Sequence, residues 1–414
     1  MNAKEKIVPQ RRFKKFKNGD DWEQRKLCNI VTNISDGDWI ESEHIFNDGE
    51  YRIIQTGNLG EGIYLDKTNS AKFFYQKDFN QLNANEIFPG DILISRLAEP
   101  AGRTIILPNT GKRMVTSVDV TVIRPDDQNF DSMFLMTQMN SSKVLNEVNK
   151  SVSGTTHKRI SRKNLEQIDL YVPHLAEQTV IGAFFKQIDN IIVLQKNKLD
   201  KLKELKLAYL SEMFPAEGEL KPKRRFAGFT DDWEQRKLGE NVIIKSGWSP
   251  SNFVRTNSEG SELFIKVDDL NYSSREQNDS QMRVHDNPRF QKMKKGSIIF
   301  PKRGAAIVTN KVRILGSDGY MDTNMMALEP QGIDAHFLYT FIARTGLYKI
   351  ADTSTIPQIN NKHIEPYIVY CPSIEEQIKV GSFFKKLDDT IALHQHKLEK
   401  LQNIKQAYLN EMFV

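Results

Sequence analysis

Two long stretches of the chain place apolar residues at alternating steps of four and three. The first reads Ile181, Phe185, Ile188, Ile192, Gln195, Leu199, Leu202, Lys206, Tyr209 and Met213. The second reads Val380, Phe384, Leu387, Ile391, His394, Leu398, Leu401, Lys405, Tyr408 and Met412. That spacing is a heptad seam, the mark of helices that pack against other helices. No proline interrupts either run, and no glycine follows Gly182 or Gly381. Each pattern therefore predicts one unbroken helix, over 177–214 and 376–413, roughly 55 Å long at about 1.5 Å per residue. Gln195, Lys206, His394 and Lys405 are polar at seam positions. Either they fix register and direction, or they sit at a wet edge of the seam.

Before each helix the pattern changes to short apolar runs of strand character. Examples are Tyr51-Arg52-Ile53-Ile54, Asp91-Ile92-Leu93-Ile94, Val118–Ile123 and Ser297-Ile298-Ile299-Phe300. Turns such as Gly57-Asn58 and Ser317-Asp318-Gly319 punctuate them. One helical stretch is predicted near Phe134–Val148 and its counterpart near Ala335–Ile350. The expected product is a small twisted sheet with attached helices, formed twice.

The chain also repeats itself. Asp-Asp-Trp-Glu-Gln-Arg-Lys-Leu occurs at Asp20–Leu27 and again at Asp231–Leu238, each time after a basic segment containing Arg-Arg-Phe. Glu177–Phe214 and Glu376–Phe413 align without a gap; both carry Glu-Gln, then Gly, then Phe-Phe-Lys, and end in Ala-Tyr-Leu-x-Glu-Met-Phe. A period near 200 residues means two tandem modules, since solenoid repeats run about 20–50. The halves differ most inside the globular segments and least at their edges, as expected of two readers in one frame. Trp22 and Trp233, identical in both, are expected to be packing anchors and not contacts to any ligand.

The 414 residues carry a net charge of +5 and only two cysteines, Cys28 and Cys371. Two cysteines exclude a disulfide framework and a cysteine-rich zinc site. There is no apolar run long enough for a membrane span and no apolar segment near Met1, which points to the cytoplasm. The positive charge clusters at Arg11, Arg12, Lys14, Lys15 and Lys17 and at Lys221, Lys223, Arg224 and Arg225, as on phosphate-tracking surfaces or solvated linker ends. Catalytic motifs are missing. No phosphate-cradling Gly-x-x-x-x-Gly-Lys loop, no His-Glu-x-x-His and no Asn-Pro-Pro-Tyr tetrapeptide occurs. The acidic run Asp36, Asp38, Glu41 and Glu43 reads as a solvated loop. Neither a catalytic nor a metal-binding residue is expected.

The repeated phrase, the Gly-Asp-Ile-Leu-Ile-Ser-Arg strand at Gly90–Arg96, and the Glu-Gln…Phe-Phe…Ala-Tyr-Leu-x-Glu-Met-Phe tails together resemble the DNA specificity subunit of type I restriction-modification enzymes. The likeness covers nearly the whole chain, in order, twice. It implies an α/β (α+β) fold: two mixed α/β target recognition domains held apart by two long antiparallel coiled-coil helices. Recognition domain 1 would fill 1–175, the central helix 176–214, recognition domain 2 215–374 and the C-terminal helix 375–414. The seam would be carried by Ile188, Ile192, Leu199, Leu202 and Tyr209 against Leu387, Ile391, Leu398, Leu401 and Tyr408. The resemblance implies double-stranded DNA as ligand, with two methyltransferase subunits and motor-nuclease subunits as partners. It puts S-adenosylmethionine, ATP and Mg2+ on those partners and no cofactor on this chain. The first module departs in its longer, more basic linker, Lys14–Gly19.

DNA contacts are expected from basic and amide residues at loop ends of the sheets, mostly to phosphates. In module 1 these are Arg96, Arg103, Lys112 and Arg113, with the loop Ser153–Arg159 and its Thr155, Thr156, His157, Lys158 and Arg159. In module 2 they are Lys302, Arg303, Ser354 and Gln358. Two other readings remain open on sequence alone: a coiled-coil adaptor that does not read DNA, and a self-contained nuclease whose site carries no recognised motif.

Overall fold

The computed structural model describes residues 7–97, 100–154, 158–256, 258, 261–353 and 356–414. The chain folds as two compact units, 1–194 with 398–414, and 195–397. Contiguous segments divide differently, because packing does not separate the long helices from the globular parts. The central helix, Leu175–Glu212, and the C-terminal helix, Ile374–Met412, each begin in one unit and end in the other.

In unit 1 an antiparallel sheet runs in the order Ile34–Asp36, Val120–Ile123, Ile92–Ser95, Thr104–Ile106. A second sheet runs Lys72–Phe74, Tyr51–Ile54, Arg113–Thr116, Glu86–Ile87, with the middle pair parallel. Unit 2 builds the same two sheets with different edges. Its first sheet runs Val242–Ser246, Met325–Pro330, Ile298–Pro301, Arg313–Leu315, with Glu276–Gln277 added at the end. Its second runs Arg283–Val284, Glu262–Ile265, Gly319–Met321. The expected single helix near 134–148 is two, Ser132–Met139 and Ser142–Lys150. The break falls at Asn140, whose side chain bonds both the amide and the carbonyl of Thr104 and also donates to the Met136 carbonyl of the preceding turn. Its counterpart breaks at Gly346, whose φ of +86° a residue with a β-carbon rarely adopts.

Each tail motif has a physical task. Glu177 lies at the start of the central helix and accepts two bonds of 2.7 Å from Arg12; Glu376 accepts the same pair from Arg225. Both carboxylates are nearly sealed, at 2% and 1% exposure. The following glutamine, Gln178 or Gln377, accepts from the amide of Asp131 or Asp334 and donates to the carbonyl of Pro173 or Pro372. Asp131 and Asp334 in turn cap the helices at Phe134 and Phe337, each at 2.8 Å. A β-carbon on Gly182 would lie 2.3 Å from Asp131 Oδ1, and one on Gly381 2.5 Å from Asp334 Oδ1. Glycine is therefore required for the capped helix to sit on the long one.

The Ala-Tyr-Leu-x-Glu-Met-Phe end of each long helix closes the core of the unit in which that helix ends. Phe413 meets Trp22 and Phe134 in unit 1, and Phe214 meets Trp233 and Phe337 in unit 2. Tyr408 packs edge-on against Phe184, Tyr209 against Phe383, each at 5.0 Å. Arg11 pairs with Glu411 and Arg224 with Glu212. Within each unit the two long helices thus run antiparallel. The seam side chains Ile188, Ile192, Leu199, Leu202, Tyr209, Leu387, Ile391, Leu398, Leu401 and Tyr408 are all buried or half-buried. The polar seam residues are paired across it. Gln195 bonds both Nδ1 and the carbonyl of His394, and Lys206–Asp388 and Lys405–Asp189 each close at 2.6 Å.

The packing of the indoles sets the first expectation. Trp22→Ala or Trp233→Ala removes a fully buried aromatic from the centre of a unit and is expected to cost about 3–5 kcal/mol, read by chemical denaturation. The seam sets the second. Burial, then the charges of Lys198 and Lys397, pushes the His394 imidazole below its ordinary pKa. A base depressed in the folded state favours folding above its unfolded value, and that contribution is lost as pH falls. Unfolding free energy should therefore drop as pH falls below about 6.5, and the part due to this group should vanish in His394→Gln.

Candidate nucleic-acid interface

The predicted contact residues of each unit divide into a cluster and outliers. In unit 1 the strand Ile92–Ser95 ends at Arg96, whose carbonyl accepts from the amide of Ile160. Leu97 pairs with Arg159, and Arg159 closes a small hairpin with Ser153. In unit 2 the carbonyl of Lys302 accepts from Ile359, Arg303 pairs with Gln358, and Gln358 closes the matching hairpin with Asp352. One scaffold is thus built twice, with a strand end held against the mouth of a polar loop. Thr155, Thr156, His157 and Ser354 lie outside the described residues.

The side chains on the two scaffolds differ. Arg96 is only 4% exposed. Its guanidinium bonds the carbonyl of Val118 and lies 3.4 Å from Asp36, and burial lowers its pKa against the pull of Asp36. It braces the loops from beneath and offers little surface to a ligand. Arg159 pairs with Asp119 at 3.0 Å and keeps part of its guanidinium exposed. Lys158 is exposed beside it. In unit 2, burial and the neighbouring Arg303 push the Lys302 ammonium down in pKa, while Nζ donates to Ser246 Oγ at 2.9 Å. Arg303 is exposed and Gln358 half-buried.

Three predicted residues stand apart from this cluster. Arg103 is half-buried and donates to the Pro100 carbonyl, tying down its own turn. Lys112 reaches the Gly49 carbonyl and stacks over Phe73. Arg113 forks onto Glu86, bonds Gln76 and covers the Tyr51 ring at 4.4 Å. Lys112 and Arg113 lie at the opposite end of the strand Arg113–Thr116 from the turn that holds Asp119. The acidic run is not a solvated loop throughout. Asp36 accepts from Thr121 and faces Arg96 and Arg162, and Asp38 holds the amide and side chain of Asn85. Arg162 was missed as a candidate. It follows the hairpin at the head of a short helix, spans Asp36 and Glu166, and is half exposed. The basic run Lys158, Arg159, Arg162, Lys163 was its legible signal.

Among the described residues no group of three His, Cys, Asp or Glu side chains is arranged to hold a metal ion, and no helix is long and apolar enough to cross a membrane. Each unit is a two-sheet domain whose strand end and hairpin carry Lys158 and Arg159 in unit 1 and Arg303 and Gln358 in unit 2. A family profile for the type I restriction modification DNA specificity domain matches residues 19–204 and again 230–403. The chain belongs to that family of type I restriction-modification specificity subunits and carries its domain twice. It is 20% identical over 409 residues to the type I restriction enzyme MjaVIII specificity subunit of Methanocaldococcus jannaschii, covering 94% of this chain and 92% of that one. The fold is similar to that of the type I restriction-modification S subunit from M. genitalium, with a TM-score of 0.66 at 16% identity over 99% of both chains. It is also similar to a chain from a structural study of complex assembly and conformational transition in the type I R-M system, with a TM-score of 0.52 at 15% identity over 94% of this chain and 97% of that one.

The geometry separates bracing cations from presented ones. Arg96→Ala should lower unfolding stability, by about 1–3 kcal/mol for the buried partners it leaves unpaired. Lys158→Ala should leave stability unchanged, weaken DNA binding evenly across sequences, and reduce the slope of log affinity against log salt by about 1. Denaturation and salt-titrated binding of the two variants check this.

Proposed function

We propose that this chain is the non-catalytic DNA-reading and scaffold subunit of a type I restriction-modification complex. Each unit reads one half of a split target through its strand-end and hairpin cluster. The observation that supports this best is the pairing of sameness and difference. Both clusters hang on the same backbone bonds, at Ile160–Arg96 and Ile359–Lys302, yet present Lys158, Arg159 and Arg162 in one unit and Lys302, Arg303 and Gln358 in the other. Two readers of different half-sites require that combination. Arginine suits guanine and glutamine suits adenine, while lysines serve phosphates.

The helices continue from one unit into the other, so their length sets the number of unread base pairs between half-sites. Two modification subunits dock on the scaffold and bring the methyl donor S-adenosylmethionine. Motor-nuclease subunits add ATP- and Mg2+-dependent translocation and cutting. The chain itself contributes recognition and position.

Methylation mapping tests this. The chain is co-expressed with its modification subunit in a host free of such marks, and modified adenines are located by single-molecule sequencing. A motif of two short halves with a fixed gap is expected; a stable complex that leaves no new mark would refute DNA reading by this chain. Inserting one heptad in each long helix, in phase with the seam, adds about 10 Å. The gap should then grow by about three base pairs at about 3.4 Å each, with both half-sites unchanged.

A further inference from the structure

The chain has four tryptophans. Trp22 and Trp233 are buried in the frame, and Trp248 is half-buried. Trp39 is 70% exposed. Its indole leaves a large apolar face in water. Trp39 lies just past the end of the strand Ile34–Asp36. That strand and Ile92–Ser95 flank Val120–Ile123 and pair antiparallel with it, Asp36 opposite Thr121 and Ser95 opposite Val120. The two strands therefore finish at the same end of the sheet. Arg159 pairs with Asp119 in the turn at that end, and Arg162 lies 4.0 Å from Asp36. The turn bearing Trp39 and the cationic hairpin share one end of one sheet.

The backbone on both sides of the indole is fixed. Asp38 donates its amide to the Thr116 carbonyl at 2.9 Å, and its carboxylate accepts from the amide and side chain of Asn85. Gly37 donates to the Val120 carbonyl, and a β-carbon on it would lie 2.3 Å from the Ser117 carbonyl oxygen. Ile40 packs on the core of the second sheet. Unit 2 makes the same turn. Gly247 donates to Met325 and Trp248 to Met321, and a β-carbon on Gly247 would lie 2.0 Å from the Asp322 carbonyl oxygen. These bonds align Gly37 with Gly247, Asp38 with Trp248 and Trp39 with Ser249. Trp248 turns inward, donates to the Gln291 carbonyl and packs on Phe290 with ring centroids 5.1 Å apart. Ser249 bonds Ser251 at 2.8 Å. One tied turn is built twice, with an exposed indole in unit 1 and a hydroxyl at that position in unit 2.

We propose that Trp39 is a specificity-determining residue of unit 1, and that its indole contacts the 5-methyl group of a thymine in the major groove. The inference rests on the proposed function and names one base contact within one half-site. The cations at the same end of the sheet draw the turn onto the phosphates that border a groove. There the indole brings an apolar face and one N–H donor. It carries no acceptor and cannot fork onto a base as arginine or glutamine does. The apolar group that a base pair displays in the major groove is the thymine methyl. Ser249 has no such face, so the contact belongs to unit 1 alone.

The test uses the complex of this chain with its modification subunit. The wild-type methylation map comes first; a map without a split motif would refute the proposed function before any substitution is made. Trp39→Ala should leave the unfolding midpoint unchanged and relax one A·T position in one half-site, with the other half and the gap as in wild type. Thymines of that half-site are then replaced singly by deoxyuridine, which lacks the methyl. One replacement should weaken wild-type binding about four-fold, the effect of one buried methyl group. The same replacement should not weaken Trp39→Ala further, and Trp39→Phe should keep the thymine preference. In 5-iododeoxyuridine the iodine takes the methyl's place. At that position it should photo-crosslink wild-type complex at Trp39, which decides the matter even if Trp39→Ala misfolds. A wild-type complex indifferent to every uracil, or crosslinks that never reach Trp39, would overturn the inference. So would an unchanged map, relaxation of both halves, or an affinity loss equal on all sequences, as from packing on sugars or wedging between base steps.

Discussion

The arginine–glutamate joint at the head of each long helix is the interaction on which the other contacts of a unit depend. Arg12 grips Glu177, and Arg225 grips Glu376, with both carboxylates out of water. Such a pair adds little net stability, because desolvating two charges offsets most of their attraction, but losing one partner costs about 3–5 kcal/mol. Its value is in position. The same arginines also bond the carbonyls of Asp20 and Asp231, just before the buried indoles. One residue thus ties linker, indole and helix start together. The next residue of the helix, Gln178 or Gln377, then fixes the cap of the helix that crosses it at a glycine.

The seam extends this logic along the helices. A purely apolar heptad stripe would allow the helices to slide or reverse. Lys405–Asp189 and Lys206–Asp388 are equivalent pairs across the seam, one in each unit. The unequal pair Gln195–His394 lies between them in the sequence. The polar seam residues therefore specify register, which the heptad pattern alone left undecided from a wet edge. Unit 2 adds Arg275, buried against Asp388 and stacked over Tyr339 at 4.2 Å, delivered by its extra edge strand. Asp388 consequently serves the sheet as well as the seam.

Where period and repetition carry the information, the sequence is legible. Both long helices, the strands at Tyr51–Ile54 and Ile92–Ser95, the anchoring role of Trp22 and Trp233 and the two-module plan follow from spacing and self-comparison. What was not legible depends on contacts remote in the chain. Nothing near Arg96 shows that Val118 and Asp36 will enclose it, so a buried brace looked like a presented cation. Arg113 opens a strand, as a contact residue at a loop end would, yet Glu86 and Tyr51 occupy it. The helix break at Asn140 depends on Thr104, 36 residues away in sequence. The tail motifs were legible as motifs, but not that each helix end completes the core of the other module's unit.

That last feature explains how the two halves can differ so much and remain one fold. A unit takes its helix start from its own module and its helix end from the other, so every frame residue must fit partners from both halves. Phe413 packs on Trp22, and Phe214 on Trp233; a change in either tail is felt by the opposite module. The frame is therefore constrained twice over, by its own unit and by the exchange. Lys158 and Arg303 are exposed and bond neither Glu177 nor Glu376, whose partners are Arg12 and Arg225. Divergent hairpins on a shared frame are the physical consequence of placing the shared contacts at the helix ends and the differing residues in the hairpins.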